Sequence, residues 1–351
     1  MKYEKILFVA GTLGQGGAER QLYFMCRELQ QTGRKVEVAT LEAGEHWEHE
    51  LLAINVPVHH IASKGKIGRL NDTLAIARQV KPQLIYCMHF FANVYAGFAG
   101  RRLGIRTIGS VRNNGYYELH NLGWIPGLIC YYLPHRIVAN SEHGARNIKR
   151  IFRGRAPVPV LPNAIDLSLF PLYTRKSAHL PTLILVARFV VQKRVDLFLK
   201  LVRKLLDSGV NCRGLVVGYG PEEVSLKALQ AELGLTAEIT FSGRQQNVFE
   251  WLRQADFLVS TSLHEGTSNV YLEAMAAQLP IVALNFEGVE NLVIQGNTGW
   301  IAGNEQELFN LCRMVIQNPN IALEAGGNAR KMVENKYALS SLANNFIHVV
   351  G

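Results

Sequence analysis

The chain alternates short apolar runs with longer amphipathic stretches, and it does so twice. KILFVA, KVEVATL, VPVHHI, QLIYCMHF, RTIGSVR and RIVANS read as a first set of strands. Between the first two, residues 18–31 have helical periodicity and Gly33 follows as a stop signal. The pattern breaks over 161–173, LPNAIDLSLFPLY, where Pro162 and Pro171 leave no clear period. TLILVARF, RGLVVGYG, EITFSG, FLVSTS and PIVALN then form a second set, with helical stretches such as VDLFLKLVRKLLDSG and EVSLKALQAELG between them. Strands of this kind, each followed by a helix, specify a parallel sheet wrapped by helices. At 351 residues the chain exceeds what one core usually organises. The expected architecture is therefore α/β: two Rossmann-like domains over 1–168 and 169–337, with parallel sheets facing across a cleft that holds the site. A last helix, about 338–351, can pack on either.

Composition narrows the setting. No run approaches the length of a membrane span. The five apolar residues Ile6–Ala10 are too few for a signal-peptide core and read better as a buried first strand. Five cysteines, odd in number and without metal-type spacing, read as reduced packing residues in a cytoplasmic protein. The charge is uneven. Residues 1–170 carry 21 Lys and Arg against 12 Asp and Glu, whereas 171–351 carry 16 of each, so the whole excess of +9 lies in the first half. Between Arg101 and Arg155, 10 basic residues face only Glu118 and Glu142, with Tyr116, Tyr117, Trp124, Tyr131, Tyr132 and Phe152 interspersed. Such a face suits anionic lipid head groups or an anionic acceptor, or is a solvated basic surface. No recognised nucleic-acid-binding motif accompanies it.

The densest cluster of candidate chemistry is SLHEGTSNVYLEAMAAQLP, from Ser262 to Pro280. Glu265 stands beside Gly266, where backbone and ligand can approach closely. Thr267, Ser268 and Asn269 are candidate N-caps for a helix beginning near Val270. The N–H groups and dipole of that helix end favour a phosphate. Glu273, a turn further in, can accept hydrogen bonds from vicinal hydroxyls. Phosphate, diol and a second carboxylate together suggest a nucleotide-sugar site. Arg188 and Lys193, just after a buried strand, suit a diphosphate leaving group or are surface charge. Gly218 ends the next strand, either as part of the donor site or only as a tight turn, and the backbone at Gly243–Arg244 can reach a base.

In the first half, Gly11, Gly14, Gly16 and Gly17 follow the first strand and open a helix, either a phosphate- or sugar-binding loop or a structural turn. The dinucleotide spacing Gly-x-Gly-x-x-Gly is absent, which weakens an NAD enzyme, although Glu42 after the second strand can imitate its ribose acid. His89 ends a strand on the edge expected to face the cleft, as a site residue or a packing one. Arg112, Asn113 and Asn114 follow the next strand and can line an acceptor pocket. With Glu273 on the ribose, Glu265 is alone near the sugar, against double-carboxylate hydrolysis.

GGAER at 16–20, LPNAIDLSLF at 161–170, VARFVVQKRVD, GYGPE, FSGR and HEGTSNVYLEAMA occur in the order found in retaining GT-B glycosyltransferases of family 4, also called group 1. The resemblance spans most of the chain, and the E-x7-E pair is its specific part. Arg194 and Gln278 stand where the family often has glycine. The resemblance implies that Arg188 and Lys193 neutralise the departing diphosphate, held by the amides of Ser268–Val270. Glu273 would bind the ribose, and the backbone near Arg244 would face the base. Glu265 would orient the donor sugar, closed in by His89 and the Gly14–Gly17 loop. No cofactor or metal is implied. The donor would be a nucleotide sugar, UDP-linked on family frequency. The acceptor would be a glycan or lipid-linked saccharide in polysaccharide or lipopolysaccharide assembly, met at the cytoplasmic face of the inner membrane. A nucleotide-sugar epimerase or hydrolase, or a non-catalytic nucleotide-sugar-binding module, are the alternatives.

Overall fold

The computed structural model describes residues 3–112, 115–152, 157–173, 180–264 and 268–351. Asn113, Asn114, Glu265, Gly266 and Thr267, named above, lie outside the described residues. The chain divides into two compact units, 1–164 with 339–351, and 165–338. The first is built on β1 (Lys5–Ala10), β2 (Lys35–Thr40), β3 (Val58–His60), β4 (Leu84–Cys87), β5 (Arg106–Val111) and β6 (Arg136–Ala139). The second is built on β7 (Thr182–Val186), β8 (Arg213–Val217), β9 (Ile239–Gly243), β10 (Phe257–Ser260), β11 (Ile281–Leu284) and β12 (Gly299–Ala302).

The strands run in the order β3-β2-β1-β4-β5-β6 in one sheet and β12-β11-β10-β7-β8-β9 in the other. Counted from the first strand of each unit, this is one topology used twice. Every strand pairing is parallel. Strands buried on both faces explain the unbroken apolar runs: Ile6 to Ala10 are all fully buried. In a sheet of this order, the connections leave the central pair in opposite directions. The gap they open at the carboxyl ends lies between β1 and β4 in one unit and between β7 and β10 in the other.

Two elements differ from the sequence reading. The strand in QLIYCMHF stops at Cys87, because the chain turns into a short 3-10 turn at Phe90–Ala92, leaving His89 on the loop. Strand β12 was not anticipated: GWIA is four residues long, begins with glycine and follows a turn-rich stretch. The two units part within the 161–173 segment, after Ala164. Gln21, buried, grips Ala164 through both amide atoms, donating to its carbonyl at 2.7 Å and accepting from its N–H at 2.8 Å. One residue later, the Ile165 N–H donates to the Tyr337 carbonyl of the second unit. The last helix, Leu342–Val350, belongs to the first unit, where Phe346 packs on Phe8 and Tyr86 with ring centroids 5.8 and 5.1 Å away.

The helix Pro319–Lys336 carries two adjacent glycines with opposite surroundings. A Cβ on Gly326 would meet the Gln278 carbonyl oxygen at 2.0 Å, whereas one on Gly327 meets nothing within 4 Å. Gly326→Ala should therefore lower stability by pushing two helices apart. Gly327→Ala should raise it by about 0.5–1 kcal/mol through helix propensity. Urea denaturation of the two variants reads opposite shifts in midpoint; shifts of the same sign would contradict this packing.

Candidate active site

In the second unit, the loops leaving β7 and β10 are tied together. The Lys193 carbonyl, in the 3-10 turn Val191–Lys193, accepts the Thr261 hydroxyl at 2.8 Å. The Gln192 side chain donates to the His264 carbonyl at 2.7 Å, and the Leu263 N–H donates to the Gln192 carbonyl at 3.0 Å. These bonds fix Lys193, half-buried, relative to the strand end that leads to residue 264. Gly218, at the end of β8, has φ +144 and lies so close to the Ala187 carbonyl that a Cβ would come within 1.8 Å of it. Only glycine lets β8 end there, so this residue shapes the turn that carries Arg188. Gly243 ends β9 at φ +68, and the next residue, Arg244, lies over the Tyr219 ring at 4.7 Å.

Ser268 is the N-cap of the helix Asn269–Ala276, in extended conformation, and its side chain makes no capping hydrogen bond. Glu273 follows one turn in and is buried, on the same helix as the amides of Asn269 and Val270. Arg188, Lys193, Ser260, Ser262, Ser268 and Val270 are among the residues lining one cavity of about 200 Å³. The structure thus brings together, at the reversal of strand order, the two cations and the helix N-terminus singled out from the sequence. Arg188 is exposed and Lys193 half-buried, and both line the cavity together with Ser268 and Val270 at the start of that helix. An anion entering it would meet both.

The first unit has a different chemistry at its own reversal point. Thr12 donates to both oxygens of Glu45, at 2.7 and 2.8 Å, and the Leu13 N–H donates to the same carboxylate. The Gly14 N–H is taken by the Thr12 hydroxyl and the Gly16 N–H by the Gly14 carbonyl. The glycine loop already cradles an internal carboxylate, so these amides are engaged before any phosphate arrives. Gly17 begins the helix Gly17–Gln31, with Glu19 in its first turn. The Gly11 N–H donates to Nδ1 of His89 at 3.0 Å, which leaves the ring proton on Nε2, 3.2 Å from Oε1 of Glu19. Arg112 donates to Oδ1 of Asn163 at 2.6 Å. Burial pushes its guanidinium down from the usual arginine range, opposed by Tyr86 and Glu19. Burial likewise raises the Glu118 carboxyl, opposed by the nearby His89.

The family description Glycosyltransferase Family 4 matches residues 15–169, and Glycosyl transferases group 1 matches 180–318. The chain belongs to the family 4, group 1 glycosyltransferases. Alpha-D-kanosaminyltransferase of Streptomyces kanamyceticus is 26% identical over 165 residues, 46% of this chain and 43% of that protein. The lipopolysaccharide core biosynthesis mannosyltransferase LpcC of Rhizobium leguminosarum bv. viciae is 28% identical over 203 residues, 54% of this chain and 58% of that protein. Each match thus spans less than two thirds of the relative. The crystal structure of Anabaena HepE in complex with UDP-glucose superposes with a TM-score of 0.85 at 19% identity, covering 99% of both chains. That likeness shows the two-domain GT-B fold.

Membership explains two departures in physical terms. Arg194 and Gln278, where family 4 glycosyltransferases often carry glycine, adopt φ of +47 and +58. Both are left-handed positions that glycine fills without strain. Arg194 sits between the Lys193 turn and the helix Val195–Asp207 and forms an ion pair with Glu305 at 2.6 Å.

Several residues with a part in this geometry carry no recognisable signal in the sequence. Glu19 had one, an acid in the first turn after the glycine loop. Glu45, Gln192 and Thr261 had none, since each acts through a partner far along the chain. Arg330 is another. Its Nη1 donates to the Phe170 carbonyl at 2.7 Å and to the last carbonyl of the Glu273 helix, Ala276, at 2.5 Å, while Nε meets Glu334 at 2.7 Å. Arg330→Ala leaves two buried carbonyls unpaired and should cost about 2–5 kcal/mol. Arg330→Lys should not restore it, because an ammonium lacks the planar fork. Denaturant midpoints check both; recovery in the lysine variant would refute the role of the fork.

Proposed function

We propose that this chain transfers a sugar from a UDP-sugar to a hydroxyl of a glycan or lipid-linked saccharide in cell-surface polysaccharide assembly, with retention at the anomeric carbon. The observation that carries this reading is the cavity at the β7–β10 reversal. There Arg188 and Lys193 line one cavity with Ser268 and Val270, at the start of the helix that also holds Glu273. Family membership and the named activities of the two relatives support a transferase. The UDP-glucose bound in HepE supports a uridine donor.

The diphosphate sits on the amides of Asn269 and Val270, its charge met by Arg188 and Lys193. Glu273 accepts hydrogen bonds from the ribose hydroxyls, and the backbone at Gly243–Arg244 receives the base. Glu265 holds the hydroxyls of the donor sugar. The bond from the anomeric carbon to the phosphate oxygen breaks with both electrons leaving on the diphosphate. The acceptor oxygen bonds to the same face of that carbon, and its proton passes to the departing phosphate. Positive side chains stabilise the charge that develops on the leaving group, the work that a metal does elsewhere. Such fixed charges act without reorganising during the reaction. Arg112 lines the acceptor side.

A thermal-shift panel of UDP-, GDP- and other nucleotide sugars identifies the donor, followed by product analysis with and without acceptor. Selective stabilisation by a UDP-sugar is expected. Lys193→Ala should lower kcat about a hundredfold or more. Glu273→Gln should weaken UDP binding about tenfold, the loss of a charged hydrogen-bond acceptor. Free sugar or an epimer formed without acceptor would favour a hydrolase or epimerase. Tight donor binding with no product would favour a binding module.

A further inference from the structure

The helix Trp124–Tyr132 in the first unit wears its apolar stripe on the outside. Trp124, Ile125, Leu128, Ile129 and Tyr132 recur at the spacing of a single helix face, which in a water-soluble helix ordinarily turns inward. Here Trp124 is 64% exposed and Ile125 73%, and the other three are exposed as well. The inward side consists of Gly127, Cys130 and Tyr131. Tyr131 stacks on Phe152 with centroids 4.3 Å apart, and a Cβ on Gly127 would meet Leu119 at 2.2 Å. The outward stripe is therefore what remains once the core contacts are made. The helix carries no charged residue of its own.

Cations stand around it. Arg101 donates to the carbonyl of Leu133, the residue that ends the helix, at 3.1 Å, and Arg102 beside it is exposed. Lys149 and Arg150, also exposed, end the helix Glu142–Ile151, which leads directly into Phe152. Between Arg101 and Arg155 the sequence has only two acids, and Glu118 is half-buried. Trp and Tyr stand at the two ends of the stripe, with aliphatic residues between them. That is the arrangement favoured at the boundary between head groups and acyl chains.

We infer that this helix lies in the surface of an anionic bilayer, Ile125, Leu128 and Ile129 entering the acyl boundary while Arg101, Arg102, Lys149 and Arg150 meet lipid phosphates. An apolar stripe with a basic border is the recipe for interfacial binding. A second copy of the chain fits less well, since it would bury the stripe but bring the two basic borders together. Among the described residues no helix is long and apolar enough to span a membrane. Cys130 of this helix also donates to the Phe91 carbonyl, which ties it to the loop leaving β4. If the transferase reading holds, docking here would bring the enzyme to a lipid-linked acceptor.

The test uses the full chain with vesicles of phosphatidylcholine, alone and mixed with phosphatidylglycerol. Flotation should occur with the mixed vesicles at low salt and fade as salt rises. Trp124 is the most exposed of the four tryptophans, so its emission should shift to the blue on binding. The double variant Ile125→Glu, Ile129→Glu, at exposed positions, should lose flotation while its circular dichroism and melting stay unchanged. Arg101→Glu and Lys149→Glu should each weaken partition about fivefold or more. The inference is overturned by equal binding to both vesicle types, or by none to either. It is also overturned by wild-type flotation of the double variant, or by a dimer in sedimentation that Ile125→Glu dissolves. Transfer to a soluble glycan acceptor separates the two readings. Activity without flotation sinks only the docking, and flotation without transfer to any acceptor sinks only the transferase.

Discussion

The candidate chemistry of both units depends on a single topological constraint, the reversal of strand order beside the first strand of each sheet. Parallel strands need crossovers, and crossovers of one hand force the loops of the central pair apart at their carboxyl ends. The Ala187–Lys193 segment and the Thr261–His264 segment are such loops, and so are the glycine loop and His89. The side chains differ between the units because the openings serve different ends. One is lined by Arg188, Lys193 and a helix start, the other already encloses the carboxylate of Glu45. The same topology therefore leaves one opening suited to an anion and fills the other with its own anion.

The second opening is also held rigid from beneath. A buried carboxylate such as Glu273 is costly to hold, and its helix must not shift when a ligand arrives. Arg330 ties the end of that helix to the Phe170 carbonyl, and Gly326 allows the helix Pro319–Lys336 to approach within reach of the Gln278 carbonyl. The loop opposite is fixed by Thr261 and Gln192. Backbone atoms take most of these bonds, so position is set by main chain rather than by mobile side chains.

How far the sequence discloses this depends on the range of each interaction. The strand runs and the restart after Pro171 were legible because burial on both faces of a parallel sheet leaves a continuous apolar trace in local sequence. The Ser262–Pro280 segment was legible because a loop, a cap and a carboxylate one helical turn apart are neighbours in the chain. Glu45, Thr261 and Arg330 were not, since each meets its partner across 33 to 68 residues or more. The glycines were half-legible. Their presence showed that backbone comes close to something, but Gly218 faces the Ala187 carbonyl and Gly11 faces the Phe91 ring, 2.1 Å from where a Cβ would stand. Sequence cannot distinguish a neighbour of that kind from a ligand. Arg194 and Gln278 mislead in the opposite direction, because a left-handed backbone does not strictly require glycine.

The pair formed by His89 and Glu19 bears on the chemistry. A histidine at a reversal point invites the role of general base, which needs a ring nitrogen with a lone pair open to the substrate. Nδ1 spends its lone pair on the Gly11 N–H, and Nε2, carrying the proton, faces Glu19. Both nitrogens are engaged with buried partners, so the ring as placed holds the glycine loop rather than offering a base. Glu19 is itself occupied as the acceptor. In the proposed transfer the base would then be one that the donor brings with it, a departing phosphate oxygen, while the protein supplies position and positive charge.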